Sequence, residues 1–168
     1  MKTPLLIITA IFVISLSLYS ADRKEASRVS PNGISLIRNF HSFEIVAPSY
    51  RDDKQQIRVI LGNPLALKAY REKIRPFPDG AILVKLEWSI KKHPQFPVAT
   101  LPDKFVQVEF MIKNKTKYKD TGGWGFARFI GDDYKPYGKD AGFASECINC
   151  HMPVSDNDFV FTGLAPVP

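Results

Sequence analysis

The sequence contains few residues that can bind a metal ion through nitrogen or sulfur. Its 168 residues include only two cysteines and three histidines. Both cysteines and one histidine lie in the segment ECINCHMP at residues 146–153, whereas His41 and His93 are isolated in the chain. A structural zinc site needs four ligands, and the adjacent Cys150 and His151 fit poorly around one tetrahedral ion. The scarcity of ligands therefore argues against a zinc protein.

The sequence also lacks internal repeats and low-complexity segments. Residues 1–20, MKTPLLIITAIFVISLSLYS, have a lysine, an apolar run and then small residues, which is the pattern of a secretory signal peptide. The apolar run is short for a membrane-spanning helix. We therefore expect export to the periplasm with cleavage after Ser20, and an uncleaved membrane anchor is the alternative. No cysteine directly follows the apolar run, which argues against a lipoprotein.

The chain has a moderate excess of positive charge but no concentrated basic segment. The formal net charge is +6, and removing residues 1–20 with Lys2 leaves +5. The lysines are scattered among acidic residues, and an exported protein rarely meets DNA, so we expect no nucleic-acid binding. A solvated basic surface can instead steer an acidic redox partner towards the protein.

Alternating apolar residues predict strands in a single globular domain. From Ile82 to Ile90 every second residue is apolar, and the same period occurs in residues 104–114. The proline-rich segment between them, residues 93–103, is predicted as a loop, with too few turn signals for a tight hairpin. Two further strands are predicted in residues 55–63 and 123–133.

Helix signals are short and few. Asn63 followed by Pro64 is a favourable helix start, with Asn63 as the N-terminal cap. Pro76 and Pro78 end that helical pattern. The segment FASECINCHM, residues 143–152, is expected to form one or two helical turns. The sum predicts an α+β fold that is mainly antiparallel β, with a curved sheet and a few short helices.

The Cys-x-x-Cys-His pattern at residues 147–151 can serve several chemistries. A disulfide between Cys147 and Cys150 is allowed in an exported protein, but it would close a loop too short to contribute much stability. A thioredoxin-like dithiol needs a βαβ context, which the pattern of elements does not offer. Covalent attachment of one haem c fits best, because the pentapeptide is the haem c signature. Cys147 and Cys150 would then form thioether bonds, and His151 would ligate the iron.

No residue stands out as a second axial ligand of that iron. Met152 lies beside His151 and cannot reach the opposite iron face. His41, His93 and Met111 could in principle ligate the iron, but each has a commoner explanation as a surface or core residue. We therefore expect an open iron site that binds a small molecule.

Five segments in a fixed order give the sequence a likeness to a known family. They are FPDGAILVK, VEFMIKN, GGWGFARF, ECINCHMPV and DFVFT. This order resembles the cytochrome P-460 family of small exported monohaem proteins with a β-rich fold, over roughly residues 45–162. We accordingly divide the chain into a signal peptide at residues 1–20, a polar lead-in at residues 21–40 and a haem domain at residues 41–168.

The resemblance implies a function and a further bond to the cofactor. The family oxidises hydroxylamine to nitric oxide or nitrous oxide, and electrons pass to another cytochrome, soluble or membrane-bound. In the true cytochromes P-460 a strand lysine also bonds the porphyrin edge, and Lys85 is the matching residue. The related β-type cytochromes c prime lack this bond and bind nitric oxide. Both groups are commonly homodimers. The alternatives to an enzyme are therefore a nitric-oxide-binding protein and a simple electron-transfer cytochrome c.

Three side chains are candidates for roles around the haem. Lys85 has the pattern of a solvated surface lysine, and the bond to the ring would require a neutral, desolvated amine. Glu109 could accept protons released from hydroxylamine, or be exposed, or be paired with Lys85 or Arg58. Arg58 could donate to a bound nitrogen oxide or a haem propionate, or lie on the surface. Three aromatic residues are expected to pack in the core: Trp124, Phe126 and Phe129.

Overall fold

Six antiparallel strands form one sheet in which each strand pairs with the next along the chain. The computed structural model describes residues 28–166, so the predicted signal peptide lies outside the described residues. The sheet is open, with the first and last strands at its edges. The prediction of a mainly antiparallel β fold is confirmed. The strands are β1 Glu44–Arg51, β2 Gln56–Gly62, β3 Ile82–His93, β4 Phe96–Lys113, β5 Trp124–Ile130 and β6 Lys135–Pro136.

Two short α-helices accompany the sheet. Helix α1 spans Pro64–Arg71 between β2 and β3, and helix α2 spans Ala144–His151 after β6. Within residues 28–166 no helix is long and apolar enough to cross a membrane. The structure also has short 3-10 segments at Arg38–Ser42, Asp52–Lys54, Lys119–Thr121, Ala141–Phe143 and Met152–Asn157.

The prediction of a loop at residues 93–103 is wrong, because these residues belong to a long β-hairpin. Strand β3 ends at His93 and β4 begins at Phe96, so only two residues join them. The tip of this hairpin extends beyond the residues that pair with β2 and β5. Pro97 and Pro102 are tolerated there, since a proline can occupy a strand with a free edge without removing a ladder hydrogen bond.

Apolar side chains fill both faces of the sheet. On one face Val84 and Phe110 pack with Phe40, which precedes β1. On the other face Leu83 and Phe126 belong to a second cluster that includes buried residues of α1 and α2. Both faces of β3 are therefore covered, and polar side chains on the second face lie at the border of a core.

Asn63 ties the start of α1 to the start of β3. Its Oδ1 accepts hydrogen bonds from the backbone N–H of Ala66 and of Ile82, both at 3.0 Å. Its Nδ2 donates to the Gly80 carbonyl at 2.8 Å. The prediction of Asn63 as helix cap is confirmed, and the same side chain also holds the turn that leads into β3.

Replacing Asn63 with alanine is expected to lower the free energy of unfolding by about 2–3 kcal/mol. The change removes a helix cap and leaves the Ile82 N–H and the Gly80 carbonyl without this partner. Urea denaturation measures the loss. Ser42→Ala serves as control, because the Ser42 hydroxyl makes an exposed hydrogen bond and its loss should cost under about 0.5 kcal/mol. Equal losses in both variants would contradict this role for Asn63.

Candidate functional site

Charged and polar side chains gather on the sheet face that also carries α2. The antiparallel register places Lys85 opposite Glu109, and Glu109 opposite Arg128. It also places Glu87 between Arg58 and a glutamine on the neighbouring strands. We name the following six residues the polar cluster: Arg58, Lys85, Glu87, Gln107, Glu109 and Arg128.

Lys85 bridges the two carboxylates of the polar cluster. Its Nζ lies 2.5 Å from Glu109 Oε2 and 3.0 Å from Glu87 Oε1. Arg128 Nε donates to Glu109 Oε1 at 2.7 Å. Arg58 Nη2 lies 2.9 Å from Glu87 Oε1. The sequence analysis offered pairing of Glu109 with Lys85 or Arg58 as one alternative. The structure pairs Glu109 with Lys85, and its second partner is Arg128 rather than Arg58.

A glutamine amide joins the two halves of the polar cluster. Gln107 Nε2 donates to Glu87 Oε2 at 2.7 Å and to Glu109 Oε1 at 2.8 Å. The side chain of Glu87 is 2% exposed and that of Lys85 is 26% exposed. Lys85 is thus a half-buried, ion-paired side chain rather than a freely solvated lysine. Period two places Glu87 on the strand face of Lys85 and Gln107 on that of Glu109. No pattern in the sequence indicated Arg128, because its meeting with Glu109 depends on the strand register.

Two polar atoms of the cluster have no hydrogen bond of good geometry. Arg58 Nε is buried without an acceptor. Glu87 Oε1 lies within 3.0 Å of two cations, but neither contact has the angle of a hydrogen bond. Unsatisfied buried polar groups are uncommon in native proteins. The Arg58 side chain therefore keeps a donor for a further polar partner, which suits the predicted propionate or nitrogen oxide.

Two opposing effects set the pKa of Glu109. Burial of the carboxyl group would raise it, but the charges of Lys85 and Arg128, together with their hydrogen bonds, lower it below the ordinary value. Glu109 is therefore ionised at neutral pH. It is also a weak proton acceptor while both cations remain beside it.

Helix α2 presents both thiols of the chain. Cys147 and Cys150 are three residues apart, so they lie on the same side of the helix. The predicted helical turns at residues 143–152 are confirmed, and the buried Ile148 anchors α2 on the core. Cys147 is half-buried and Cys150 is exposed, and neither forms a disulfide.

The environment of Cys147 connects α2 with the polar cluster. Burial raises the pKa of its thiol to about 11, while Arg128 acts against this rise and Glu109 adds to it. Both charged residues thus act on the thiol, as does Lys85 to a smaller extent. At neutral pH the thiol is protonated.

His151 is half-buried at the end of α2 and is oriented by a backbone carbonyl. Its Nδ1 lies 2.6 Å from the Phe159 carbonyl oxygen. Because a carbonyl only accepts, Nδ1 carries the proton and Nε2 keeps its lone pair. Burial lowers the pKa of His151, against the effect of the Phe159 hydrogen bond. The ring is therefore neutral at pH 7 with Nε2 as donor atom, which is the form that binds a metal.

The Phe159 carbonyl belongs to an unusual turn. Asp158 and Phe159 both adopt positive φ, at 54° and 62°, and each such non-glycine residue costs about 1–3 kcal/mol. Asp158 Oδ1 contacts Lys113 Nζ at 2.5 Å, and Asp158 Oδ2 accepts from the Phe77 N–H at 2.7 Å. The indole N–H of Trp124 donates to the Asp158 carbonyl at 2.8 Å. These contacts, which sequence patterns did not indicate, hold the turn.

The remaining sequence candidates lie in other places. His41 stacks on Phe40, in the cluster on the opposite face of the sheet, with ring centroids 3.9 Å apart. His93 lies at the hairpin tip, where its Nδ1 accepts from the Gln95 N–H. Met111 packs against the same core as α2.

The prediction of three aromatic core residues is confirmed, since the structure buries Trp124, Phe126 and Phe129. Phe126 also contacts the His151 ring.

Comparison with known proteins gives one family. The family model of cytochrome P460 matches residues 37–162, which is 126 of the 168 residues. The match includes all six strands, both helices and the polar cluster. The resemblance seen in the sequence is thus confirmed. A search of curated proteins found no match.

Replacing Glu109 with glutamine should weaken the fold at neutral pH and remove part of its acid sensitivity. The variant loses one partner of a partly exposed ion pair, which should cost about 1–3 kcal/mol. Because the folded pKa of Glu109 is lowered, its contribution is present above the unfolded pKa and disappears as pH falls through the folded value. The difference between wild type and variant should therefore shrink in acid.

Urea denaturation from pH 7 down to pH 3 measures this difference. Glu44→Gln is the control, because Glu44 is an exposed carboxylate that pairs with Arg71 at the surface. It should change stability by less than about 1 kcal/mol. A pH-independent difference between wild type and Glu109→Gln would contradict the assignment.

Proposed function

Because the chain belongs to the cytochrome P460 family, whose members are haem-binding cytochromes, we propose that it is an exported c-type haem protein that oxidises hydroxylamine. The product is nitric oxide or nitrous oxide. One observation carries this proposal: Lys85 and Glu109 are in contact on the sheet face next to the helix that bears Cys147 and His151. One region thus holds two candidate haem anchors, Lys85 and Cys147. It also holds the candidate base Glu109 and the candidate iron ligand His151.

The residues of α2 fit covalent attachment of a haem c. Cys147 and Cys150 would form the two thioether bonds from one side of the helix, and His151 Nε2 would ligate the iron. The free lone pair of Nε2 supports this role, since Nδ1 is already engaged by the Phe159 carbonyl. Arg58 would donate its unpaired N–H to a propionate or to the nitrogen oxide. A bound haem would supply an iron centre that takes electrons from hydroxylamine and delivers them to another cytochrome.

Glu109 would act as the proton acceptor of the site. Oxidation of hydroxylamine releases protons and electrons in equal number, and the protons need a base near the reacting nitrogen. Glu109 is ionised but held by two cations, which lower its pKa. A bond from Lys85 Nζ to a porphyrin-edge carbon would replace one N–H and one C–H bond, with two electrons passing to an oxidant such as a peroxide. It would leave a neutral amine in place of an ammonium group. The pKa of Glu109 would then rise, and Glu109 would become a stronger base.

A second function is favoured by the same ion pairs. Lys85 Nζ contacts two carboxylates, at 2.5 and 3.0 Å, and a side chain held in two ion pairs is a poor nucleophile. If Lys85 stays an ammonium group, Glu109 remains a weak base. The protein would then bind nitric oxide without turnover, as the β-type cytochromes c prime do.

Localisation and partners form part of the proposal. Residues 1–20 would direct the chain to the periplasm, where haem c is attached. Electrons would pass to a soluble or membrane cytochrome, and the protein would form a homodimer. No role in nucleic-acid binding is proposed.

Covalent haem is tested by denaturing mass spectrometry of protein from cells that assemble haem c. The wild-type chain should carry one haem at the mass of a chain cleaved after Ser20. Replacing both Cys147 and Cys150 with alanine should abolish attachment, and each single replacement should leave one thioether. A wild-type mass without haem would refute the proposed function.

The Lys85 bond is tested by absorption spectra and peptide mapping. The wild type should show a red-shifted Soret band and a haem-bound peptide containing Lys85. Lys85→Met should lose the red shift and keep the haem. Lys91→Met is the matched control, since Lys91 lies on the same strand but is exposed and pairs with Asp103. A haem-free Lys85 peptide from wild type would favour the nitric-oxide-binding function.

Turnover is measured with hydroxylamine and an electron acceptor. Glu109→Gln should lower the rate by about 10²-fold or more, because general base catalysis is typically worth 10²–10⁴-fold. The exposed Glu44→Gln should retain the wild-type rate. A wild-type spectrum that hydroxylamine leaves unchanged would rule out the enzymatic function.

A further inference from the structure

Lys113 and Asp158 form a buried ion pair for which the proposed chemistry has no direct use. The two side chains are 2% and 7% exposed, and Lys113 Nζ lies 2.5 Å from Asp158 Oδ1. The ammonium group also donates to the Gly122 carbonyl at 3.1 Å and lies 4.8 Å from the centre of the Trp124 ring. Burying two charges is costly, and hydrophobic residues often stabilise a fold equally well. The pair therefore calls for a specific role.

The position of Asp158 in the chain indicates that role. Asp158 immediately precedes Phe159, whose carbonyl accepts the Nδ1–H of His151 at 2.6 Å. Every polar group of Asp158 is engaged: its carboxylate by Lys113 and the Phe77 N–H, its carbonyl by Trp124, and its own N–H by the Ser155 carbonyl.

The Phe159 ring is also held in place by packing. It packs directly on Gly122, at a position that a Cβ on residue 122 would occupy. Gly122 is also the residue whose carbonyl accepts from Lys113. Two consecutive residues with positive φ are thereby locked in one arrangement, and that arrangement directs the Phe159 carbonyl at His151.

We propose that Lys113 and Asp158 are positioning residues for His151, acting through the Phe159 carbonyl. A hydrogen bond from Nδ1 to a fixed acceptor selects the tautomer, orients the ring and makes Nε2 a stronger donor to a metal. In the haem-loaded protein the ion pair would thus influence the bond between His151 Nε2 and the iron through the Phe159 carbonyl. This inference rests on the proposed function in one respect, that His151 is the iron ligand.

Asp158→Asn in the haem-loaded protein is the first test. Asparagine tolerates positive φ and can still accept from the Phe77 N–H, but it no longer attracts Lys113. Lys113→Met combined with Asp158→Asn removes both charges and leaves none unpaired. Trp124→Phe removes the donor to the Asp158 carbonyl and shrinks the buried ring beside Lys113. It gives a third variant in which both charges remain.

Two readouts report on the ligand bond rather than on the fold. In the ferrous protein the iron–histidine stretching band in resonance Raman spectra should move to lower frequency in all three variants. The midpoint potential should rise, because a weaker donor stabilises ferric iron less. Val108→Ala is the matched control, since Val108 is fully buried but belongs to the core on the opposite face. It should lower stability and leave both readouts unchanged.

The possible outcomes separate this inference from the proposed function. If the variants retain haem and the wild-type Raman band and potential, the ion pair is merely structural and the inference is overturned, while the proposed function stands. If wild type carries no haem, the proposed function fails. The tautomer of His151, measured by ¹⁵N NMR on the unloaded chain, then decides the positioning role. A loss of the Nδ1–H form in Asp158→Asn supports it, and its retention overturns it.

Discussion

The antiparallel register between β3 and β4 is the constraint on which the candidate site depends, because it sets Lys85 opposite Glu109. Side chains of a strand alternate between two faces, so a slip of one residue would carry Lys85 to the opposite face. That face is the core around Val84 and Phe110. A charge buried there without partners would be expensive. The apolar core therefore enforces the register, and the register in turn assembles the polar cluster.

The polar cluster is tolerated near a core because its charges compensate one another. It contains three cations and two carboxylates, so one positive charge remains when all are ionised. Such a face favours a partner that is anionic or rich in acceptors. In the proposed enzyme, a bond from Lys85 to the porphyrin would remove one cation and leave the remaining charges balanced. The same step would release Glu109 from one of its two ion pairs, which links the cofactor bond to the basicity of the site.

Two parts of the chain support His151, one that precedes it and one that follows it. Helix α2 brings the ring to the site, and the turn at Phe159 supplies the acceptor for Nδ1. That turn is held by Lys113 from the end of β4. Only the first of these two supports could be predicted from the sequence. The helical turns of α2 follow from local sequence, whereas Lys113 and Asp158 are separated by 45 positions and no pattern connects them.

The sequence by itself determined the antiparallel class, the start of α1 at Asn63 and the helical Cys-x-x-Cys-His segment, because period-two alternation, capping and turn chemistry act between near neighbours. The family followed from the resemblance of five segments in a fixed order, which the family match confirms. It misjudged residues 93–103, since the prolines there are tolerated only on strands with a free edge, and edges exist only once the sheet is assembled. Tertiary structure alone decided that Glu109 pairs with Arg128 and that His151 faces the Phe159 carbonyl. Such contacts arise from strand register and from chain segments far apart in sequence, where local patterns carry no information.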